Sequence, residues 1–254
     1  MSKGFANNRM TLLAMGVVAC FMAVGVRLVF LQVVDREELL RFVDKARRQI
    51  VIEHARRGIV EKSYAEGAYI CHRGDRLEAW TGVTAGLVKL STVSRTGKAV
   101  TLAGIRAGGW FGEGTVLKNE PRHYDLVALR DTRIALMERS TFLWLFENSV
   151  AFNRFLVRQL NERLGQFIAL AEYDRMLDAT GRLARNIAWL FNPVLYPNLG
   201  MQLEISQEEI GLLSGVSRQA ANKSLQILES KGLLRVEHGG ITVLELERLS
   251  RYGD

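Results

Sequence analysis

The sequence predicts an α+β chain: an antiparallel β-roll, one long amphipathic helix and a carboxyl-terminal winged helix-turn-helix, preceded by a transmembrane helix. Three observations lead there. Residues 59–137 are short apolar runs cut by glycine, apolar residues recur at steps of three and four from Thr141, and residues 205–245 hold two capped helices and a hairpin. Ahead of all this, Thr11–Val34 carries a single charge, Arg27.

That leading segment would measure about 36 Å as a helix, enough to cross a hydrocarbon core of about 30 Å. Arg27 lies near its end, where its head group can snorkel to the interface. No small-x-small cleavage pattern follows, so a signal peptide fits poorly. Lys3 and Arg9 precede the span, whereas Arg36, Arg41, Lys45, Arg47 and Arg48 follow it. Positive charge stays inside, so the carboxyl side is expected in the cytoplasm, tethered to the inner membrane. A buried core helix or a recombined reading frame are the alternatives, and in the latter case the protein is soluble and cytoplasmic.

The formal charge of +7 invites a nucleic-acid reading, but its location argues otherwise. Residues 1–60 hold ten Lys/Arg against five Asp/Glu, whereas residues 175–254 hold nine against nine. The excess sits beside the apolar segment. Cys20 and Cys71 are the only cysteines and form no CxxC spacing, which excludes a zinc or iron–sulfur cage and a disulfide framework. No metal site and no catalytic constellation is expected.

In the next stretch, "GLVKLSTVSRTGKAVTLAGI" alternates Leu87 and Lys89 against Val88 and Leu90 and turns at Ser94–Lys98, as antiparallel strands do. The helix that follows carries Phe152, Leu156, Leu160, Leu164, Ile168 and Ala171 as a stripe, with Arg154, Arg158, Asn161, Glu162 and Glu172 mostly off it. The stripe can pack on its own sheet or on a partner helix. A further helix over roughly 179–190 ends before "FNPVLYPN", whose prolines predict a linker or turn.

Ser206 followed by Glu209 reads as a capping box, with Ile205 and Ile210 as a hydrophobic staple. Gly215 permits a tight turn, Ser217 caps the next helix, and Gly232 ends it. Ala221, Leu225 and Leu228 face inward, while Arg218, Gln219, Asn222 and Lys223 point outward from the first two turns. Arginine can bond guanine bidentately and an amide can do so to adenine, and Ser206, Ser217 and the helix amino ends suit phosphates. A merely solvated polar face is the alternative. "LLRVEHGGITVL" reads as a wing turning at His238–Gly240.

Residues 59–250, in this order of roll, helix and winged helix, resemble the CRP/FNR family of bacterial transcription regulators. "QEEIGLLSGVSRQAANKSLQILE" is similar to that family's DNA-reading motif, and the resemblance places Arg218, Gln219 and Lys223 at its base-contacting positions. Gln219 stands where the family commonly has glutamate. In "FGEGTVLKNEPRHYD", Gly112, Glu113 and Arg122 match the family's cyclic-nucleotide cassette, in which a carboxylate holds ribose and a guanidinium holds phosphate. His123 and Tyr124 replace its small residues. Cyclic AMP is the effector this implies; a Glu113–Arg122 ion pair in a roll that binds nothing, or something else, is the other reading.

The resemblance further implies a homodimer through the Phe152–Ala171 helix, double-stranded DNA as partner, and RNA polymerase as a second one. Residues 10–58 resemble a different family's feature, the amino-terminal anchor of class B penicillin-binding proteins, but no SxxK or KTG motif follows. Expected domains are thus 1–58 anchor, 59–148 roll, 149–176 dimerisation helix and 177–254 DNA-binding domain. A membrane-tethered ligand sensor or a non-functional fusion, neither reading DNA, are the rival functions.

Overall fold

The computed structural model describes residues 36–94, 97, 99–197 and 199–253. The expected span at Thr11–Val34 lies outside them, and among the described residues no helix is long and apolar enough to cross a membrane. The chain divides into two units, residues 1–54 and 55–254. Helix α1 (Arg36–Arg57) runs from the first into the second, and its Lys45, Arg48 and Gln49 are exposed.

The roll is two antiparallel four-stranded sheets. One orders β1 (Ile59–Tyr64), β8 (Thr132–Glu138), β3 (Ala79–Ala85) and β6 (Trp110–Phe111). The other orders β2 (Tyr69–Cys71), β7 (Asp125–Ala128), β4 (Leu87–Val93) and β5 (Ala99–Arg106). Val88, Ile105, Leu126 and Ile134 are fully buried among the core side chains of the roll. The β4–β5 turn is described at Ser94 and Gly97, where the Gly97 amide donates to Ser94 O at 3.0 Å with φ +81°.

The expected in-out alternation of β4 is incomplete. Leu87 is as buried as Val88, because the outer face of the strand is itself covered: Leu87 belongs to the core of the winged helix. A strand covered on both faces loses its polar side.

Short helices α2 (Glu113–Lys118) and α3 (Arg139–Asn148) flank the roll, and Trp80 stacks on Trp110 at 4.3 Å and meets Phe142 and Phe152 edge-on. Ser149 caps the long helix α4 (Val150–Met176) by accepting from Phe152 N. The single expected stripe splits here. Leu156 packs inward with Gln159, Arg163 and Gln166, whereas Leu160, Leu164 and Ile168 are exposed together with Val157 and Phe167. The reason is geometric: a row stepping by four drifts 40° per step, so Phe152 and Ile168 lie about 160° apart around a straight helix.

Helix α5 (Ala179–Trp189), capped by the Asp178 carboxylate, leads into the segment expected to be a linker or turn. It is a series of turns, and they form a strap across the roll. Leu195 is fully buried and Tyr196 nearly so, both among core residues of the roll, and Tyr196 OH donates to Gly104 O at 2.9 Å. Gln159 Nε2 donates to Val194 O at 2.6 Å and Asn192 Nδ2 to Glu162 at 3.0 Å, fastening the same strap to α4.

The rest is the winged helix: β9 (Gln202–Leu203), α6 (Gln207–Leu213), α7 (Arg218–Ser230), β10 (Leu234–Glu237), β11 (Gly240–Val243) and α8 (Leu246–Ser250). The sheet order is β10-β11-β9, so the predicted hairpin gains a third short strand. Glu237 pairs with Gly240, leaving His238 and Gly239 as the turn, with Gly239 at φ +79°.

Candidate nucleic-acid interface and effector cassette

Two serines build the reading unit. Ser206 Oγ accepts from Glu209 N at 3.1 Å and Ser217 Oγ from Ala220 N at 3.2 Å, each satisfying an amide that a helix start would leave bare. Ile205 and Ile210 are both buried in the same core, as a staple requires. Only half of the expected capping box forms, however. The Glu209 carboxylate accepts from Lys89 Nζ on β4, at 3.0 and 3.4 Å, an ion pair that draws it toward the roll.

Gly215 takes φ +63° in the turn between α6 and α7. Helix α7 then buries Ala221, Ser224, Leu225 and Leu228, and Ser224 shares a hydrogen bond with Thr180 of α5 at 3.1 Å. That inward face fixes the outward one. Ser206, Ser217, Arg218, Gln219 and Lys223 are all exposed. Asn222 departs from the expected quartet: it is half-buried, and its Oδ1 is shielded from solvent without a partner. The helix buries Ala221 and Leu225 on either side of it, so the amide sits at the edge of the packed face.

The expected effector residues are brought together in part. Gly112 adopts φ +87°, and a Cβ there would lie 1.7 Å from Arg122 Nη1, so the guanidinium rests directly on the glycine. Arg122 is 1% exposed. Its Nη2 donates to Ala79 O at 2.8 Å and Thr81 Oγ1 at 3.1 Å, and its Nη1 reaches Tyr124 OH at 3.4 Å, while Nε has no partner. Glu113, half-buried in the first turn of α2, forms no ion pair with Arg122, so the ion pair itself is not what folds.

Of the two bulky replacements, only one crowds this spot. His123 points outward and meets Glu120 at 3.4 Å. Tyr124 lies against the arginine, and burial pushes its phenol up despite the nearby positive charge.

Sequence reasoning missed the polar face of α4. Arg163 Nη2 donates to Trp110 O at 2.9 Å, and Gln159 Oε1, Gln166 Oε1 and Arg163 Nε are buried without a partner. The signal was present as polar residues at 159, 163 and 166, spaced by four and three. Unpaired donors and acceptors buried on this face are costly in isolation. They fit a small ligand that offers both kinds of group. Arg122 keeps its unpartnered Nε and weakly engaged Nη1 for an anion, while its Nη2 stays held by Ala79 O and Thr81 Oγ1.

Residues 61–149 match the cyclic nucleotide-binding domain family and residues 181–252 the Crp-like helix-turn-helix domain family. The chain is 30% identical over 184 residues to the cyclic AMP receptor protein of Thermus thermophilus, across 72% of this chain and 82% of that one. It is 28% identical over 185 residues to the cAMP-activated global transcriptional regulator CRP of Pasteurella multocida, across 71% and 88%. Among solved structures, FixK2 from Bradyrhizobium japonicum shares the fold with a TM-score of 0.63 at 21% identity, across 76% of this chain and 96% of that one.

Proposed function

The chain belongs to the CRP/FNR family of DNA-binding transcription regulators, and from that premise we propose that Arg218, Gln219 and Lys223 read base edges while Ser206 and Ser217 lie against phosphates. It acts by binding DNA rather than by catalysis. The observation that carries the residue assignment is the exposed row Arg218–Gln219–Lys223 on a capped helix whose opposite face is locked in a core. Arginine reaching O6 and N7 of guanine supplies the strongest expected contact. Asn222 is given a smaller part, because its acceptor is already withdrawn.

A homodimer suits the outer face of α4, where Val157, Leu160, Leu164 and Ile168 are exposed at helical spacing. A two-fold axis there would offer two reading helices to successive major grooves, about 34 Å apart. In the roll, the proposed effector is cyclic AMP or another cyclic nucleotide, held by Gly112, Glu113 and Arg122 with the polar face of α4 closing over it. One observation favours a second reading, a roll that works without nucleotide: Arg122 already has protein acceptors. Contact with RNA polymerase and a membrane tether through residues 11–34, with the reader in the cytoplasm, complete the proposal.

Selection from randomised duplexes tests the reader. Arg218→Ala and Gln219→Ala should each relax preference at one base position and cost on the order of 10-fold or more in affinity. Unchanged preference would remove these residues from the assignment. Calorimetry with cyclic AMP and cyclic GMP, on the wild type and on Arg122→Ala, separates the two readings of the roll.

A further inference from the structure

The seat on which the winged helix rests is made by the outer face of β4 and β5. Leu87 enters the reader's core, and Lys89, next on that face, pairs with Glu209 of α6. Both charged side chains are largely covered, at 17% and 20% exposure. Opposite Lys89 in the ladder stands Gly104, where a Cβ would approach Leu190 at 3.1 Å and Leu213 of α6 at 3.6 Å, so the sheet has no side chain in the way of either. Opposite Leu87 stands Arg106, which donates from Nη1 to Leu190 O at 3.0 Å and from Nη2 to Gln202 O at 2.8 Å, and lies over the Phe191 ring. Arg130 pairs with Glu204 at the edge of the same seat.

We infer that Lys89 is a positioning residue for DNA recognition: through Glu209 it fixes α6, and with it α7, on the roll of the same chain. The clasp thereby sets where α7 stands against the roll in this arrangement of the chain. The physical argument is the coverage. An exposed lysine–glutamate pair is weak and interchangeable. This one is sheltered by the two bodies it joins, and it takes a carboxylate that local sequence would have kept for its own helix cap. The inference rests on α7 being the reader.

The test uses the full chain and a duplex recovered by selection. Lys89→Ala should weaken affinity about fivefold, should do nothing further in a Glu209→Gln background, and should be largely rescued by Lys89→Arg. The slope of log affinity against log salt should stay unchanged, whereas a lysine touching phosphate would lower it by about 0.9. Unchanged or tighter binding, a reduced slope, or an equal effect in the Glu209→Gln background overturns the inference. Hydrogen exchange without DNA supplies the independent arm: Lys89→Ala should speed exchange in α6 and leave β1 and β8 alone. If no duplex is ever selected, the reading of α7 fails, and the α6 exchange rate still decides whether the clasp exists.

Discussion

Replacing Gly112 by alanine should be among the most damaging single-methyl changes in this molecule, for two separable reasons. The first is backbone: at φ +87° an L-residue is strained by about 1 kcal/mol or slightly more. The second is contact. A methyl carbon cannot sit 1.7 Å from Arg122 Nη1, so the guanidinium must retreat. Retreat breaks its bonds to Ala79 O and Thr81 Oγ1 in a site that is 1% exposed. Hydrogen bonds from a charged donor are worth about 1.5–3 kcal/mol each, and part of that is regained by relaxation. Together the two effects come to about 3–5 kcal/mol. For a protein of this size that lowers the melting temperature by about 6–20 °C. A double-mutant cycle with Arg122→Leu isolates the contact: in that background Gly112→Ala should cost only the backbone share, about 1 kcal/mol. Denaturant unfolding reads both. A cost below 1 kcal/mol in the wild type, or strict additivity in the cycle, would refute the packing of Arg122 on Gly112.

Two further outcomes follow from burial. Leu164→Glu should shift the sedimentation of the full chain from dimer to monomer with little loss of monomer stability, because Leu164 is 60% exposed; Leu156→Ala, at a site 3% exposed, should instead cost about 2–5 kcal/mol on unfolding. Burial raises the Cys71 thiol to about 11, so in a Cys20→Ser background alkylation at pH 8 should be slow in the native state and fast after unfolding. The sign for stability follows: the unfolded thiol ionises near 9.0, so the fold loses stability as pH climbs from there toward 11. Equal alkylation of folded and unfolded chains would contradict this.

What could be read ahead of the structure was local. A serine three residues before an amide it caps, a glycine at a positive φ, and an apolar step of three or four are all written within one turn of chain, and α6, α7 and the wing follow from them. What could not be read was set by distant partners. Nothing near Glu209 announces that its carboxylate will find Lys89, which lies 120 residues earlier. Nothing in "NPVLYPN" distinguishes a loop in water from a strap whose Leu195 and Tyr196 fill the roll, because two prolines serve either equally well. The polar face of α4 was hidden for another reason. Glutamine and arginine at 159, 163 and 166 look like solvated residues until the folded chain covers them, with Gln159 bonded to the strap and Arg163 to the roll. The cassette fell between: the glycine and arginine were visible, but not that one would lie flat upon the other.

The strap also changes how the molecule can be taken apart. A shortened chain beginning near residue 177 would keep Leu195 and Tyr196 while discarding the sheet that shelters them, and would lose the mate of Glu209 as well. Such a piece carries an oily scar where its parent was seamless. Recombinant work on the carboxyl-terminal half should therefore retain β4 and β5, or replace both side chains with polar ones before asking what the excised portion does.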